Sequence, residues 1–233
     1  MRLTELMKRL DQLKKKEYIR SLRKGPTGVG HLLENELGLS ETNVAIPDIG
    51  ARLELKATRK NANSLITLFT FNRAVWKIRQ KEIIEKYGYI DNKRRKALYS
   101  TVSNTTPNAQ GFYLIPDSQK HVVSLKNVKE DSDIAEWSTY VLAGKFMTKL
   151  DRLLLIFADN KYDGQYEMFW FNEAYLLEKP TPEQFLKAFE INEFFIDIRM
   201  YLRASGGVRN HGTAFRISEK NLLDLYAQKR KLL

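Results

Sequence analysis

Between Leu53 and Thr58 apolar and polar residues alternate strictly, with Leu53, Leu55 and Ala57 apolar and Glu54, Lys56 and Thr58 polar. This alternation suits an extended strand and not a helix, because successive strand side chains leave on opposite faces. One face is therefore committed to a core, and the other carries an acid and a base side by side. Pro47-Asp48 stands just upstream. Ile49-Gly50-Ala51 lies between, with a glycine that lets the chain bend. A bend there brings Asp48 back opposite Glu54. Two carboxylates and the backbone carbonyl of Leu55 then form a set of hard oxygen donors of the kind Mg²⁺ accepts.

An ion held by Asp48, Glu54 and the Leu55 carbonyl would polarise a phosphodiester and lower the pKa of a bound water. Lys56 would orient that water and stabilise the charge that develops on the phosphate oxygens. Glu34, on a helix upstream, adds a further carboxylate if that helix packs beside the bend. Taken alone, an acid-apolar-lysine triplet describes an ordinary solvated sheet face, and Glu34 an ordinary exposed helix position. The rest of the chain supplies the weight.

Lys and Arg number 39 against 28 Asp and Glu, a net charge of +11. That excess points to a polyanionic partner, because cations released from phosphates drive association. Cysteine is absent, which excludes a disulfide framework and thiolate zinc sites. The 233 residues, 43% of them hydrophobic, suffice for a substantial core. No apolar run approaches the roughly 18 residues of a membrane span. Met1-Arg2-Leu3 opens a charged helix and not a signal peptide. The expectation is a soluble, cytoplasmic protein with no membrane partner.

The periodicities predict an amphipathic helix from Leu3 to Tyr18 and a second helix that follows Lys24-Gly25-Pro26-Thr27-Gly28-Val29-Gly30 and ends near Gly38. Strands are expected at Asn43–Pro47, Arg52–Thr58, Ser64–Phe71, Leu98–Ser103, Gly111–Ile115, His121–Leu125, Tyr166–Phe171 and Phe194–Leu202. The apolar run Leu153–Ala158 suits a strand buried on both faces. Helices are expected at Ala74–Tyr87, Ala143–Leu150 and Ser218–Arg230, and Trp76, Trp137 and Trp170 are expected in the core. Thr58–Asn63 and Ser103–Gln110 are polar loops able to embrace a duplex, and Lys93-Arg94-Arg95-Lys96 is a patch suited to phosphates. No repeat or linker divides the chain.

The run Gly25-Pro26-Thr27-Gly28-Val29-Gly30-His31-Leu32-Leu33-Glu34, then Pro47-Asp48 and Leu53-Glu54-Leu55-Lys56-Ala57-Thr58, resembles the PD-(D/E)XK nucleases of the MutH and MvaI/BcnI group. Ser64-Leu65-Ile66-Thr67-Leu68-Phe69, Asp197-Ile198-Arg199 and His211-Gly212-Thr213-Ala214-Phe215-Arg216-Ile217 resemble the MvaI/BcnI branch. These blocks span most of the chain. The resemblance implies an α/β restriction-endonuclease-like fold, a mixed sheet flanked by helices, with two lobes around a DNA cleft. It implies a single domain over 1–233, with the catalytic part mainly in 20–160 and the DNA-recognition part mainly in 161–233. The implied activity is that of a Mg²⁺-dependent type II site-specific deoxyribonuclease with Glu34, Asp48, Glu54 and Lys56 in its active site. It would act as a monomer that cuts each strand of double-stranded DNA in turn, at CC(A/T)GG or a related CCNGG site. A cognate DNA methyltransferase is the expected counterpart in the host. The Asp48-to-Glu54 interval is one residue longer than that branch leads one to expect, which leaves a MutH-like nicking enzyme as the alternative. A DNA-binding protein without cleavage is a further one.

The chemistry of the C-terminal blocks agrees. Arg199 and Arg216 can each donate two hydrogen bonds to guanine O6 and N7, and Asp197 can accept from cytosine N4. His211 can read a base edge near the centre of a site. Arg209 lies in the glycine-bearing stretch from Ser205 to Gly212 that can approach bases closely. Asp197 and Arg199, two apart on one strand, could instead merely pair with each other.

Overall fold

A computed structural model describes residues 3–39, 47–50, 52–60, 64–191 and 193–233. In chain order the elements are α1 (Leu3–Lys15), β1 (Ile19–Arg20), α2 (Gly28–Glu36), β2 (Glu54–Arg59), β3 (Leu65–Phe71), β4 (Val75–Trp76), α3 (Gln80–Tyr87) and β5 (Tyr89–Ile90). They continue with β6 (Lys96–Ser103), β7 (Phe112–Asp117), β8 (Val122–Asn127), β9 (Ala135–Ser138), α4 (Thr139–Leu150), β10 (Arg152–Asp163) and β11 (Tyr166–Pro180). The last are α5 (Pro182–Ile191), β12 (Phe194–Leu202), β13 (Val208–Asn210), β14 (Thr213–Ser218), α6 (Glu219–Leu222) and β15 (Tyr226–Lys231). The fold is mixed α/β, as expected. The chain divides into two compact units. One is Met1–Ile66, Met147–Thr181 and Leu222–Leu233, and the other is Thr67–Phe146 and Pro182–Asn221.

The first unit is built on a sheet in the order β1-β11-β10-β2, with β15 also on β11. β10 runs parallel to β2 and antiparallel to β11. β10 lies inside the sheet, and Leu153, Leu154, Leu155 and Ile156 on its two faces are all fully buried, so the strand is covered on both sides. The two-residue turn from Asp163 to Tyr166 places Gly164 at φ +58°, a conformation glycine adopts without steric penalty. Leu53 and Leu55 of the β2 segment join Leu154, Ile156 and Ala158 of β10 in one apolar cluster with Leu6, Leu10 and Leu13 of α1 and Val29, Leu32 and Leu33 of α2. The period-two apolar face of β2 is thus sealed under α2. The opposite face carries Glu54 and Lys56.

In the second unit a sheet ordered β3-β14-β12-β6-β5, with β13 also on β12, accompanies a smaller sheet ordered β4-β9-β8-β7. Phe194, Ile196, Ile198 and Met200 on β12 are buried on one face. Its alternate residues, Phe195, Asp197, Arg199 and Tyr201, are only partly buried. Stacked and edge-on aromatic pairs fill the interior, among them Phe146–Phe185, Phe189–Phe194 and Trp137–Phe215.

Several expectations need correction. Ser218–Arg230 is not one helix: after α6 and a short 3₁₀ turn (Leu223–Leu225) the chain extends as β15 and pairs with β11. The residues favour a helix, but an available sheet edge and the burial of Tyr226 override that preference. Val75–Trp76 pairs with β9, so the helix expected from Ala74 begins at Gln80. Trp137 is fully buried, whereas Trp76 and Trp170 are half-buried, and Trp170 Nε1 donates to the carbonyl of Lys14 at 2.9 Å. The strand expected at Asn43–Pro47 falls, except for Pro47, outside the described residues. Among the described residues no helix is long and apolar enough to cross a membrane.

Candidate active site

The expected bend is present. Ile49 and Leu53 form an antiparallel bridge, with Ile49 N donating to Leu53 O at 2.9 Å and Leu53 N to Ile49 O at 3.2 Å. Gly50 sits at φ +59° between them. The turn folds Asp48 back along β2, where its Oδ2 accepts the backbone N–H of Leu55 at 2.9 Å. β2 lies at the end of its sheet. In an extended strand a residue's N–H and C=O leave on the same edge. The Leu55 carbonyl therefore lies on the edge that Asp48 occupies, next to the residue that carries the second carboxylate.

Glu54 is buried, with 1% of its side chain exposed. Its Oε1 accepts Lys56 Nζ at 2.6 Å and Lys149 Nζ at 3.3 Å. Its Oε2 is buried and has no hydrogen-bond partner among the described residues. A carboxylate loses several kcal/mol of hydration on burial and retains its charge only with close compensation, so this is no solvated sheet face. Lys149, on the last turn of α4, was not among the expected residues. Nothing local in the sequence marks it, because the contact arises only when β10, which follows α4, aligns parallel to β2. Tyr226 OH donates to the carbonyl of Leu150 at 2.8 Å and ties down that same turn. Burial, and then the negative charges of Glu54 and Asp151, push the Tyr226 phenol well above its ordinary range. It remains a neutral donor.

Arg59 at the end of β2 explains the glycine-bearing stretch before α2. Its guanidinium makes two bonds to Glu167, each 2.6 Å, and reaches the carbonyl of Gly25 at 3.0 Å. The hydrogen bond and charge of Glu167 hold the Arg59 pKa above its ordinary value against the opposing effect of burial. At Gly28 an added Cβ would lie 2.5 Å from the carbonyl of Arg23, so this approach of backbone to helix requires glycine. The latch sets the start of α2, the helix that carries half-buried Glu34 and packs on the apolar side of β2. Lys60 pairs with Glu173 at 3.0 Å, while residues 61–63 of the expected duplex-embracing loop lie outside the described residues.

The second unit holds the remaining expected residues. Asp197 faces Thr101 of β6, whose Oγ1 donates to Asp197 Oδ1 at 2.7 Å. Arg216 of β14 donates to Asp197 Oδ2 at 3.0 Å. The acid therefore pairs with Arg216 and not with its strand neighbour Arg199. Arg199 instead reaches the carbonyls of Gly212 and His211 at 3.2 and 3.3 Å and Thr70 Oγ1 at 3.0 Å, which supports the 211–212 turn. His211 and Arg209 are exposed. The slight desolvation of the otherwise exposed ring, followed by the charges of Arg209, Arg199 and Arg95, holds the His211 imidazole below its ordinary range. Arg95, from the expected phosphate patch, is engaged by Asp91 and stacks over the Tyr201 ring at 3.8 Å. The partly buried face of β12 thus presents a partly paired row of hydrogen-bonding groups, joined across the strand pair by Thr101 of β6, a residue that was not anticipated.

Among the described residues no group of three or more His, Cys, Asp or Glu side chains could hold a metal ion. The fit of a divalent ion rests on two carboxylates and a carbonyl, and the donor chemistry suits it. All are hard oxygens, and the buried Oε2 of Glu54 is a charged acceptor with no protein partner among the described residues.

A sequence profile of the MvaI/BcnI restriction endonuclease family matches residues 7–226. The fold is similar to two solved structures of the restriction endonuclease MvaI. Against its complex with cognate DNA substrate the TM-score is 0.81 at 25% identity, with both chains covered in full. Against MvaI in the absence of DNA it is 0.56, again at 25% identity, covering 99% of this chain and 97% of that one. No curated protein matches in sequence.

Proposed function

The chain belongs to the MvaI/BcnI family of restriction endonucleases, and we propose that it hydrolyses double-stranded DNA at a short specific site, using Mg²⁺ and acting as a monomer that nicks each strand in turn. The observation that carries this reading is the buried Glu54 carboxylate, ion-paired to Lys56 on the same strand and flanked by Asp48 on the neighbouring backbone N–H. Asp48, Glu54 and the Leu55 carbonyl would hold the ion. When bound, it supplies Lewis-acid polarisation of the scissile phosphate and acidifies a water. Lys56 keeps its ammonium 2.6 Å from Glu54 Oε1 and donates to the attacking water and to the phosphate oxygens as their charge grows. Glu34 is carried by α2, which packs on the apolar side of β2 away from Glu54 and Lys56, and its supporting carboxylate role rests on the family resemblance alone.

Catalysis is assigned to the first unit and base reading to the second, through Asp197, Arg199, Arg209, His211 and Arg216. CC(A/T)GG, or a related CCNGG site, is the proposed target. Protection of that site by a cognate methyltransferase is the expected counterpart. Cleavage and binding assays on Glu54→Ala and Lys56→Ala test the reading. Cleavage disappears in both while specific binding persists. Loss of binding together with cleavage would remove the assigned roles.

A further inference from the structure

Glu54 has two lysine partners, whereas one strand-borne lysine is all that the cleavage chemistry above uses. The second, Lys149, comes from α4 and is as enclosed as the first, with 21% of its side chain exposed against 24% for Lys56. Both ammonium groups converge on the same carboxylate oxygen, Oε1, and leave Oε2 buried and without a hydrogen-bond partner. A mere counter-charge could sit at either oxygen. Two donors on one oxygen do something more specific, because they fix the rotation of the carboxylate plane and single out the other oxygen.

Resting on the active-site reading given above, we propose that Lys149 is a positioning residue that sets Glu54 so that Oε2 is the oxygen offered to the divalent ion. The surroundings support a fixed rather than a wandering lysine. Leu150, the next residue, is fully buried, and its carbonyl accepts the Tyr226 hydroxyl at 2.8 Å. β15, which begins at Tyr226, is pinned to β11 by pairing from Pro180↔Tyr226 to Tyr175↔Lys231. The C-terminal strand therefore braces the helix end that aims Lys149. Residues that orient a metal ligand typically change ion affinity or activity by about 10–100-fold when removed.

The test is Mn²⁺ binding, followed by electron paramagnetic resonance, to the full chain on cognate DNA with a non-hydrolysable linkage at the cut position, for wild type, Lys149→Met, Glu54→Gln and the double variant. Single-turnover cleavage at saturating Mg²⁺ runs in parallel. Removing a positive charge beside an ion site should by itself tighten ion binding, so weaker binding in Lys149→Met reports a misplaced carboxylate. The inference predicts about tenfold or greater weakening in Lys149→Met and a cleavage deficit of similar size that persists at saturating Mg²⁺. It predicts no weakening from the same substitution in the Glu54→Gln background. If Lys149→Met does not fold, Tyr226→Phe, which keeps every charge but releases the α4 end, gives the same direction of change at smaller size. Wild-type or tighter binding together with wild-type cleavage at saturation would reduce Lys149 to a counter-charge and overturn the inference. If Glu54→Gln binds Mn²⁺ like wild type, the active-site reading itself fails, a result distinguishable from failure of Lys149 alone.

Discussion

Glu54→Gln separates the proposed catalytic role of the buried carboxylate from its structural one, and the two effects can be set apart in size. In the fold, Gln keeps the side chain's shape, and its amide oxygen can take the place of Oε1, accepting from Lys56 and Lys149. The substitution gives up two charge-assisted bonds to ammonium groups that retain access to water. It also removes a charge that is 1% exposed and has one oxygen unpartnered. Burying such a charge opposes folding by several kcal/mol, and its pairing returns a similar amount. The new amide N–H at the Oε2 position, if unpaired, costs about 1–3 kcal/mol. The balance is a change within about 2 kcal/mol in either direction, which for a chain of this size moves Tm by less than about 8 °C. Cleavage responds on another scale. With Glu54 in the proposed role of ion ligand, its neutralisation removes the transition-state stabilisation that depends on the charge, and the single-turnover rate should fall on the order of 10³-fold or more. Thermal unfolding and single-turnover cleavage of supercoiled DNA measure the two effects. A rate within tenfold of wild type would refute the assignment of Glu54 to the reaction. A Tm loss beyond about 15 °C would make it a structural residue whose effect on rate carries no mechanistic content.

Arg216→Ala should raise cleavage at sites altered at one guanine relative to the cognate site, at a cost of about 1–3 kcal/mol in discrimination; a panel of single-base variants reads this directly. Gly212→Ala should lower stability by about 1–3 kcal/mol in thermal unfolding. Its φ is +85°, a region that costs other residues about 1–2 kcal/mol, and an added Cβ would fall 2.0 Å from Asn72 Oδ1. His211 has its folded pKa below the ordinary 6.5, so the unfolded chain binds the proton more readily. Its contribution to stability is complete above that value and declines as pH falls through and below it. His211→Gln should flatten this part of the Tm-versus-pH curve between pH 7 and pH 5; an unchanged slope assigns it to other groups.

The most legible part of the sequence was the part whose folding is local. The alternation from Leu53 to Thr58 identifies β2 and both of its faces, and the apolar run of β10 identifies a strand covered on both sides, because each pattern reports the burial of its own residues. Gly50 likewise marks the bend that returns Asp48 to β2. Contacts set by register were not legible. Asp197 meets Arg216 because β12 and β14 pair Phe195 with Arg216 and Asp197 with Ala214, a choice that no spacing along one strand reveals. Lys149 meets Glu54 through the parallel alignment of β10 with β2. The C-terminal strand is hidden for a related reason, since its helix-favouring residues yield to an edge of β11. α5 is different: Thr181-Pro182-Glu183 carries a helix-start signal, proline at the first helical position with an acid after it, so this element was within reach.

The central claim, that this chain is a Mg²⁺-dependent nuclease cutting both strands at one short site, is tested most directly by digesting a fully sequenced plasmid with the purified protein and Mg²⁺ and mapping every end. The account predicts discrete ends on both strands at a single five-base-pair motif of the CCNGG type, and none when Mg²⁺ is chelated. Nicks confined to one strand would favour a MutH-like enzyme, and an uncut plasmid to which the protein still binds specifically would contradict the assignment of Asp48, Glu54 and Lys56 to catalysis.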